Sequence, residues 1–330
     1  MILAGDIGGT WTRLAFFELQ NGRLAMAVEK IYRSRDYGGL AQVVRQFEAD
    51  HGRAVQYAAF GVAGPVRGRQ AKATNLPWLI DCTTLARELE LELKDVGLIN
   101  DLDANAWGVT ALTPADFTVL NEGGVDATGN AAVIAAGTGL GEAGLYWDGQ
   151  RHRAFASEGG HADFAPRNEL EIGLLHYLLA RHHRVSYERV LSGPGLHNIY
   201  SFLRDAGHGS EPRSVAEAMR DQDPAAVISK AALSGESELC VQALDLFIAI
   251  YGAAAGNLAL KLLASAGVYL GGGIAPRIIE KLKSPAFMDA FTDKGRMKDL
   301  LQAIPVRVIM NDQTALLGAA RYAALQAGLI

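Results

Sequence analysis

The same structural plan is written twice in this chain, and that repetition restricts the fold more than any single motif. Near the N-terminus the apolar run "ILAGDI" is followed by "GGT" and then by "WTRLAFFEL", rich in strand formers. Asn21-Gly22, a hairpin turn pair, leads to "RLAMAVEKIY", and Leu40, Val43, Val44 and Phe47 then recur at helical spacing. From residue 131 the order returns: "AAVIAA", "GTGLG", "EAGLYW", the turn pair Asp148-Gly149, "QRHRAFA" and, after an inserted segment, the helical pattern "LEIGLLHYLLARH". The copies share little sequence, so it is the order of elements that repeats. Each half reads as strand, glycine loop, strand, tight turn, strand, helix, which predicts one α/β sheet per half.

The rest of the chain extends both sheets. "AVQYAAFGVAG" reads as a strand, "LARELELEL" as a helix, "DVGLIN" as a strand ending at Asn100-Asp101, and "DANAWGVTAL" as a helix leading out of the first half. In the second half "AGVYLGGGIAP" is a strand running into a glycine turn, with Pro276 placed at a helix start. "IPVRVIM" is a strand, and "DQTALLGAARYAALQAG" closes the chain as an amphipathic helix. A length of 330 residues with 49% apolar and 20% charged residues suits two domains with real cores.

Several function classes recede on composition. The net charge is −5 and no basic run marks a nucleic-acid face; Arg151, Arg153, Arg181 and Arg184 read as solvated surface. Two cysteines, Cys82 and Cys240, make neither a disulfide framework nor a four-thiolate zinc site and read as buried free thiols. The start "MILAGDIGG" has no basic leader, and "LFIAIYGAAAGNLALKLLASAG", interrupted by Asn257 and Lys261, suits a packed core helix better than a membrane span. The expectation is a soluble cytoplasmic protein.

Gly139-x-Gly141-x-x-Gly144 has the letters of a dinucleotide fingerprint. That motif needs a helix directly after the glycines to receive the pyrophosphate, and here a strand follows, which disfavours a dehydrogenase. A glycine turn between antiparallel strands can still gather backbone N–H groups into an anion nest. Two such turns, each with a threonine (Thr10, Thr138), suit a polyphosphate held from two sides.

Asp6, just before the first glycine turn, is either a turn cap or a carboxylate that meets phosphate through Mg²⁺ and water. Asp101, where a strand ends and a helix begins, is either the helix N-cap or a general base. "SEGGHADFAP" crowds Glu158, His161 and Asp163 around two glycines. The spacing is no established zinc pattern, and groups converging on a vicinal diol fit better, since a carboxylate accepts from two hydroxyls while histidine both donates and accepts. Glu188 reads as lying on a helix with Ser186 as cap, and His182-His183 as a solvated helix end.

Taken together, "GDIGGTWTRL", "INDLDANAWG", "GTGLGEAGL", "EGGHADFAP", "YERVLSGPGL" and "GGGIAPRI" resemble the bacterial glucokinases of the zinc-free group, within the superfamily that folds like hexokinase, actin and the Hsp70 nucleotide-binding domain. The resemblance runs from Ala4 to the last helix in the family's order. It implies an α/β, two-domain hexokinase/actin-like (ribonuclease H-like) fold with a duplicated β-β-β-α-β-α-β-α core and an active-site cleft between domains. Residues 1–111 would form the small domain and 112–311 the large one, with the helix at about 312–330 packing back on the small domain. The implied activity is ATP-dependent phosphorylation of D-glucose to glucose 6-phosphate, the two domains closing over the sugar.

By the same resemblance Gly5, Asp6, Ile7, Gly8, Gly9 and Thr10 form the first phosphate loop. Gly137, Thr138 and Gly139, on to Gly141, form the second, and the Gly271–Gly273 turn, with Gly272 and Gly273, meets the adenosine. Asn100, Asp101, Glu158, His161 and Glu188 bind glucose, with Asp101 activating its 6-hydroxyl; Asn75 would also line the sugar site. ATP, Mg²⁺ held partly by Asp6 through water, and a cytoplasmic homodimer complete the implied picture. Trp11 departs from the asparagine that many relatives carry. The cysteine-rich zinc signature of the related repressor and kinase group is absent, as is a helix-turn-helix segment before the first strand. The rivals are a kinase of mannose or an N-acetyl amino sugar, and a non-catalytic sugar-sensing regulator.

Overall fold

The structure is a computed structural model that describes residues 1–125 and 127–330. The chain divides into two compact units: Met1–Pro114 with Arg153–Ala156 and Asn311–Ile330, and Ala115–His152 with Ser157–Met310.

In the first unit strands β1 (Ile2–Ile7), β2 (Trp11–Gln20) and β3 (Arg23–Arg33) form an antiparallel meander. Helix α1 (Leu40–His51) and strand β4 (Tyr57–Val62) follow. A small sheet of β5 (Val66–Arg67), β6 (Gln70–Lys72) and β7 (Leu79–Asp81), which the sequence pattern does not announce, precedes helix α2 (Cys82–Glu88). Strand β8 (Val96–Asn100) and helix α3 (Asp101–Val109) complete the copy. The main sheet runs β3-β2-β1-β4-β8, with β1, β4 and β8 mutually parallel.

Strand alternation explains the two faces of β1. Leu3 and Ile7 join the core with α1, where Val43, Val44 and Phe47 are buried, whereas Ile2 and Ala4 join the core formed with the C-terminal helix. Asn21 (φ 52°) and Gly22 (φ 75°) make the expected left-handed turn between β2 and β3. Helix α2 departs from the pattern "LARELELEL". It starts at Cys82, three residues before that stretch, capped by Asp81, which accepts from the Thr83 N–H at 2.6 Å, and Glu90 at φ 54° ends it.

The second copy consists of β9 (Phe117–Asn121), β10 (Ala131–Ala136), β11 (Leu140–Trp147), β12 (His152–Ser157, whose middle residues 153–156 are grouped with the first unit) and helices α4 (Glu169–Leu179), α5 (Gly193–Asp205), α6 (Arg213–Asp221), α7 (Pro224–Leu233) and α8 (Glu238–Leu262). Strand β13 (Gly267–Gly271), helices α9 (Ile279–Leu282), α10 (Pro285–Thr292) and α11 (Lys298–Gln302), and strand β14 (Val306–Ile309) follow, before α12 (Thr314–Gln326). The sheet order is β12-β11-β10-β13-β14-β9. Its first five strands reproduce the order of the first sheet, with β9 added antiparallel at the edge. Helix α8 is long and apolar enough to cross a membrane, but 78% of its apolar window is buried, which makes it a core helix. Gly252 and Gly256 let α10 lie against it, where a Cβ would strike the Phe287 and Phe291 carbonyls.

Although α12 follows β14 in sequence, it belongs to the first unit. Leu316, Ala319, Ala320 and Ala323 pack under Ile2, Ala4 and Ala59. Gly318 lies so close to the Ala104 carbonyl of α3 that no side chain fits there.

Candidate active site

The first glycine loop is the three-residue turn Gly8–Thr10; Gly5 and Ile7 lie within β1, where a Cβ on Gly5 would press on Phe60 and Leu14. The Gly8 N–H donates to the Trp11 carbonyl at 3.0 Å, closing the turn through backbone alone, so the Trp11 side chain is left 54% exposed. Ser34 braces the loop from β3's end: its hydroxyl donates to the Gly8 carbonyl at 2.9 Å and its N–H to the Thr10 carbonyl at 3.0 Å. Gly9 is flanked by Thr74 and Asn75, the latter held at φ 64°.

The second loop, Gly137–Gly139, is built the same way. The Gly137 N–H closes on the Gly139 carbonyl at 2.9 Å, and the Gly193 N–H donates to the Gly137 carbonyl at 2.8 Å. Gly141 and Gly144 lie inside β11, opposite Ala135 and Ala132, so a strand does follow the glycines. Gly272 (φ 79°) turns away from β13 directly against the Ala136 carbonyl, which puts the Gly271–Gly273 turn beside the second loop.

The acid chemistry sits in the first unit. Asn100, not Asp101, is the N-cap of α3: its Oδ1 accepts from the Leu102 N–H at 2.8 Å, and its Nδ2 donates to the Gly64 carbonyl at 3.1 Å. Asp101 is the first helical residue, and Gly61 beneath it leaves room for the α3 backbone against β4. Burial, reinforced by the neighbouring Asp6 carboxylate, pushes the Asp101 carboxyl up to about 6, with the Leu102 N–H opposing. Asp6 lies opposite Arg13 on the paired strand; burial raises its pKa and the Arg13 guanidinium offsets part of that. Asp6 and Asp101 thus form a crowded negative pair of hard oxygen donors, an arrangement that a divalent cation relieves.

The second unit gathers the hydroxyl-reading candidates. The His161 ring lies between two carboxylates, Nε2 3.9 Å from Glu158 Oε2 and Nδ1 3.9 Å from Glu188 Oε1. Glu188 also accepts from the Leu140 N–H at 3.0 Å, and a Cβ on Gly139 would stand 2.6 Å from that carboxylate, so a side chain there would displace it. Asp163 is taken up by Arg184, whose Nη1 donates to it and to the His161 carbonyl, both at 2.7 Å. Arg184 therefore braces this turn, a role its reading as plain solvated surface left out.

Glu188 is not on a helix. It occupies a single 3-10 turn, Tyr187–Arg189; Ser186 precedes that turn and bridges Asp163 through its backbone, but its side chain makes no cap hydrogen bond. The capping serine is Ser192, which accepts from the Gly195 N–H at the start of α5 and donates to the Glu188 carbonyl at 2.7 Å. His182 and His183 lie just past the end of α4.

The glucokinase family profile matches residues 3–326. The chain belongs to the glucokinase family. A curated glucokinase from Nostoc sp. (strain PCC 7120 / SAG 25.82 / UTEX 2576) is 45% identical over 340 aligned positions, covering 98% of this chain and 99% of that protein. The crystal structure of a glucokinase from an Antarctic psychrotroph superposes with a TM-score of 0.84 at 32% identity, covering 98% of both chains. A Streptomyces griseus glucokinase, solved with glucose and AMPPNP, shares the fold at a TM-score of 0.63 and 19% identity over 98% of this chain and 99% of that one. The two-sheet architecture is accordingly the actin-like kinase fold.

The sheet order also exposes a repetition that sequence reading passed over. Asn311-Asp312, after β14, repeats Asn100-Asp101, after β8, at the equivalent place in the second copy. The Asn311 Oδ1 accepts from the Gln313 N–H at 2.9 Å, the same local bond that Asn100 makes.

Proposed function

We infer that Asp101 is the general base in the glucokinase family's reaction, transfer of the γ-phosphoryl group of ATP to the 6-hydroxyl of D-glucose. The observation that carries this reading is the raised carboxyl at the end of β8. Asn100 holds the cap position and shares the Leu102 N–H with Asp101 (2.8 and 3.0 Å), and the half-buried Asp101 carboxyl, at about 6, is matched to proton uptake near neutral pH. Asp101 takes the hydroxyl proton as the oxygen bonds to the γ-phosphorus, and the bond from that phosphorus to the β–γ bridging oxygen breaks to leave ADP. Positioning and charge neutralisation supply most of the catalysis in such transfers.

Asn100, Glu158, His161 and Glu188 are proposed to pair the sugar hydroxyls, so that analogues lacking them leave polar groups unpaired. The Gly8 and Gly137 N–H groups are spent within their turns, so phosphate contacts fall to the rest of Gly8–Thr10 and Gly137–Gly139, with Gly272 and Gly273 beside the adenosine. Asp6 would hold Mg²⁺ through water, and the bound ion supplies charge neutralisation on the triphosphate. A cytoplasmic homodimer and a division into small and large catalytic domains belong to the same proposal; light scattering on the eluted protein tests the dimer.

The deciding experiment is ADP release from ATP and Mg²⁺ with a panel of hexoses. Release with glucose, lost in Asp101→Asn while glucose still binds, is expected. Release with mannose or an N-acetyl amino sugar alone would replace the sugar assignment, and no release with any sugar would favour a binding regulator.

A further inference from the structure

Glu142 is a buried carboxylate that the reaction just described does not use. It lies in β11, three residues after the second glycine loop, and is 5% exposed. A carboxyl in a strand core is disfavoured unless it is paired or hydrogen-bonded, so packing alone favours an apolar residue there. Burial raises its pKa, and Lys261 of α8 offsets part of that.

Its surroundings are specific. The Glu142 Oε2 occupies the space a side chain on Gly159 would need, so its carboxylate rests directly on the Gly159 backbone. One residue on, Gly160 lies against the Leu140 carbonyl in the same manner. Residues 140 and 142 point to one face of β11, so this face is the bed on which the Gly159-Gly160 pair lies. The Tyr187 hydroxyl accepts from Asn257 Nδ2 at 2.9 Å. Tyr187 immediately precedes Glu188, whose carboxylate takes the Leu140 N–H. Strand β11 thus touches both segments that flank His161.

We propose that Glu142 is a positioning residue for the sugar. Its carboxylate sets the height of the Gly159 turn above β11, and with it the distance of Glu158 and His161 from Glu188. The inference rests on the assignment of those three residues to the sugar. It explains why the turn carries glycine at 159, where no left-handed φ demands one: the space above its Cα is already filled.

A double-mutant cycle tests this with Glu142→Ala, Gly159→Ala and the double variant. Glucose affinity is read by calorimetry, and KM for ATP, kcat and Tm are read beside it. Gly159→Ala is expected to weaken glucose binding about ten-fold through the collision, with KM for ATP moving less than about two-fold. In the Glu142→Ala background, where the space is vacated, the same substitution should weaken binding less than about two-fold. Glu142→Gln, which keeps the shape, should recover at least half of any affinity lost in Glu142→Ala. Two results overturn the proposal: penalties on glucose affinity that simply multiply, or a cycle that couples in Tm but not in glucose affinity, which leaves Glu142 a packing residue only. Should the native protein bind a different hexose and not glucose, the sugar assignment fails separately, and the cycle is read with that hexose.

Discussion

Asn100-Asp101 and Asn311-Asp312 are the same two residues at the same place in two copies of one fold, and they do different work. Each pair follows a parallel strand and precedes a helix, and in each the asparagine side chain accepts the amide two residues on. The aspartates then diverge. Asp101 is half-buried, lies near Asp6, and is held at about 6 by desolvation and that neighbouring charge. Asp312 is 77% exposed and ion-paired to Arg13 at 3.0 Å. A carboxylate in water beside a guanidinium is a weak surface bridge; the same group desolvated beside another acid keeps its proton to higher pH. The duplicated local motif supplies the turn, and the environment sets the charge state of the neighbouring acid.

The sharpest way to break this comparison is to neutralise each aspartate. Asp101→Asn should lower kcat by about 10²–10⁴ while glucose still binds, whereas Asp312→Asn should leave kcat within about two-fold. Equal losses in a steady-state assay would sink the distinction. Next comes the pH profile. The base must be ionised, so kcat/KM for the native enzyme should fall about ten-fold per pH unit below about 6, and Asp312→Asn should keep that limb. An acid limb near 4 would mean that Asp101 is not the titrating group.

Stability should move in the opposite direction to activity. Because folding raises the Asp101 pKa, its contribution is complete at low pH and is lost as the pH rises through about 6. Asp101→Asn removes the ionised form's penalty, so at pH 7.5 it should unfold less readily, by something on the order of 2 kcal/mol, with the gap closing below about pH 4. Denaturant titrations at the two pH values check this. Smaller effects belong to the caps. Asn100→Ala should destabilise by about 1 kcal/mol through the lost cap and Gly64 carbonyl bonds, and Asn311→Ala by less, since its side chain closes only a turn ahead of α12. Smallest is the stability effect of Asp312→Asn, under about 1 kcal/mol and shrinking with added salt.

Much of this contrast was already legible as pattern. "ILAGDIGGT" and "AAVIAAGTG" are apolar strands running into glycine turns, and both became central strands of equivalent sheets because strand periodicity and turn chemistry are local properties. Strand β9 and the small sheet β5-β6-β7 were not readable, since such short segments are defined by what they pair with. The serine that steadies Glu188 was misplaced from Ser192 to Ser186, because both precede helix-like letters and only the hydrogen bond tells them apart. Arg184 was passed over because a surface arginine has no local signature of the turn it braces.

Sequence by itself determined the duplicated plan, the two glycine turns, the strand after Gly139 that removes the dinucleotide reading, and the residues that carry the family likeness. Each is encoded within a dozen or so neighbouring residues, in period, turn type and order. Tertiary structure alone decided that Asn100 takes the cap position ahead of Asp101, that Asp312 is a surface partner of Arg13, and that Glu142 fills the space over Gly159. Those outcomes depend on burial and on groups distant in the chain, and desolvation, which raises the pKa of an ordinary aspartate, has no letter in the sequence.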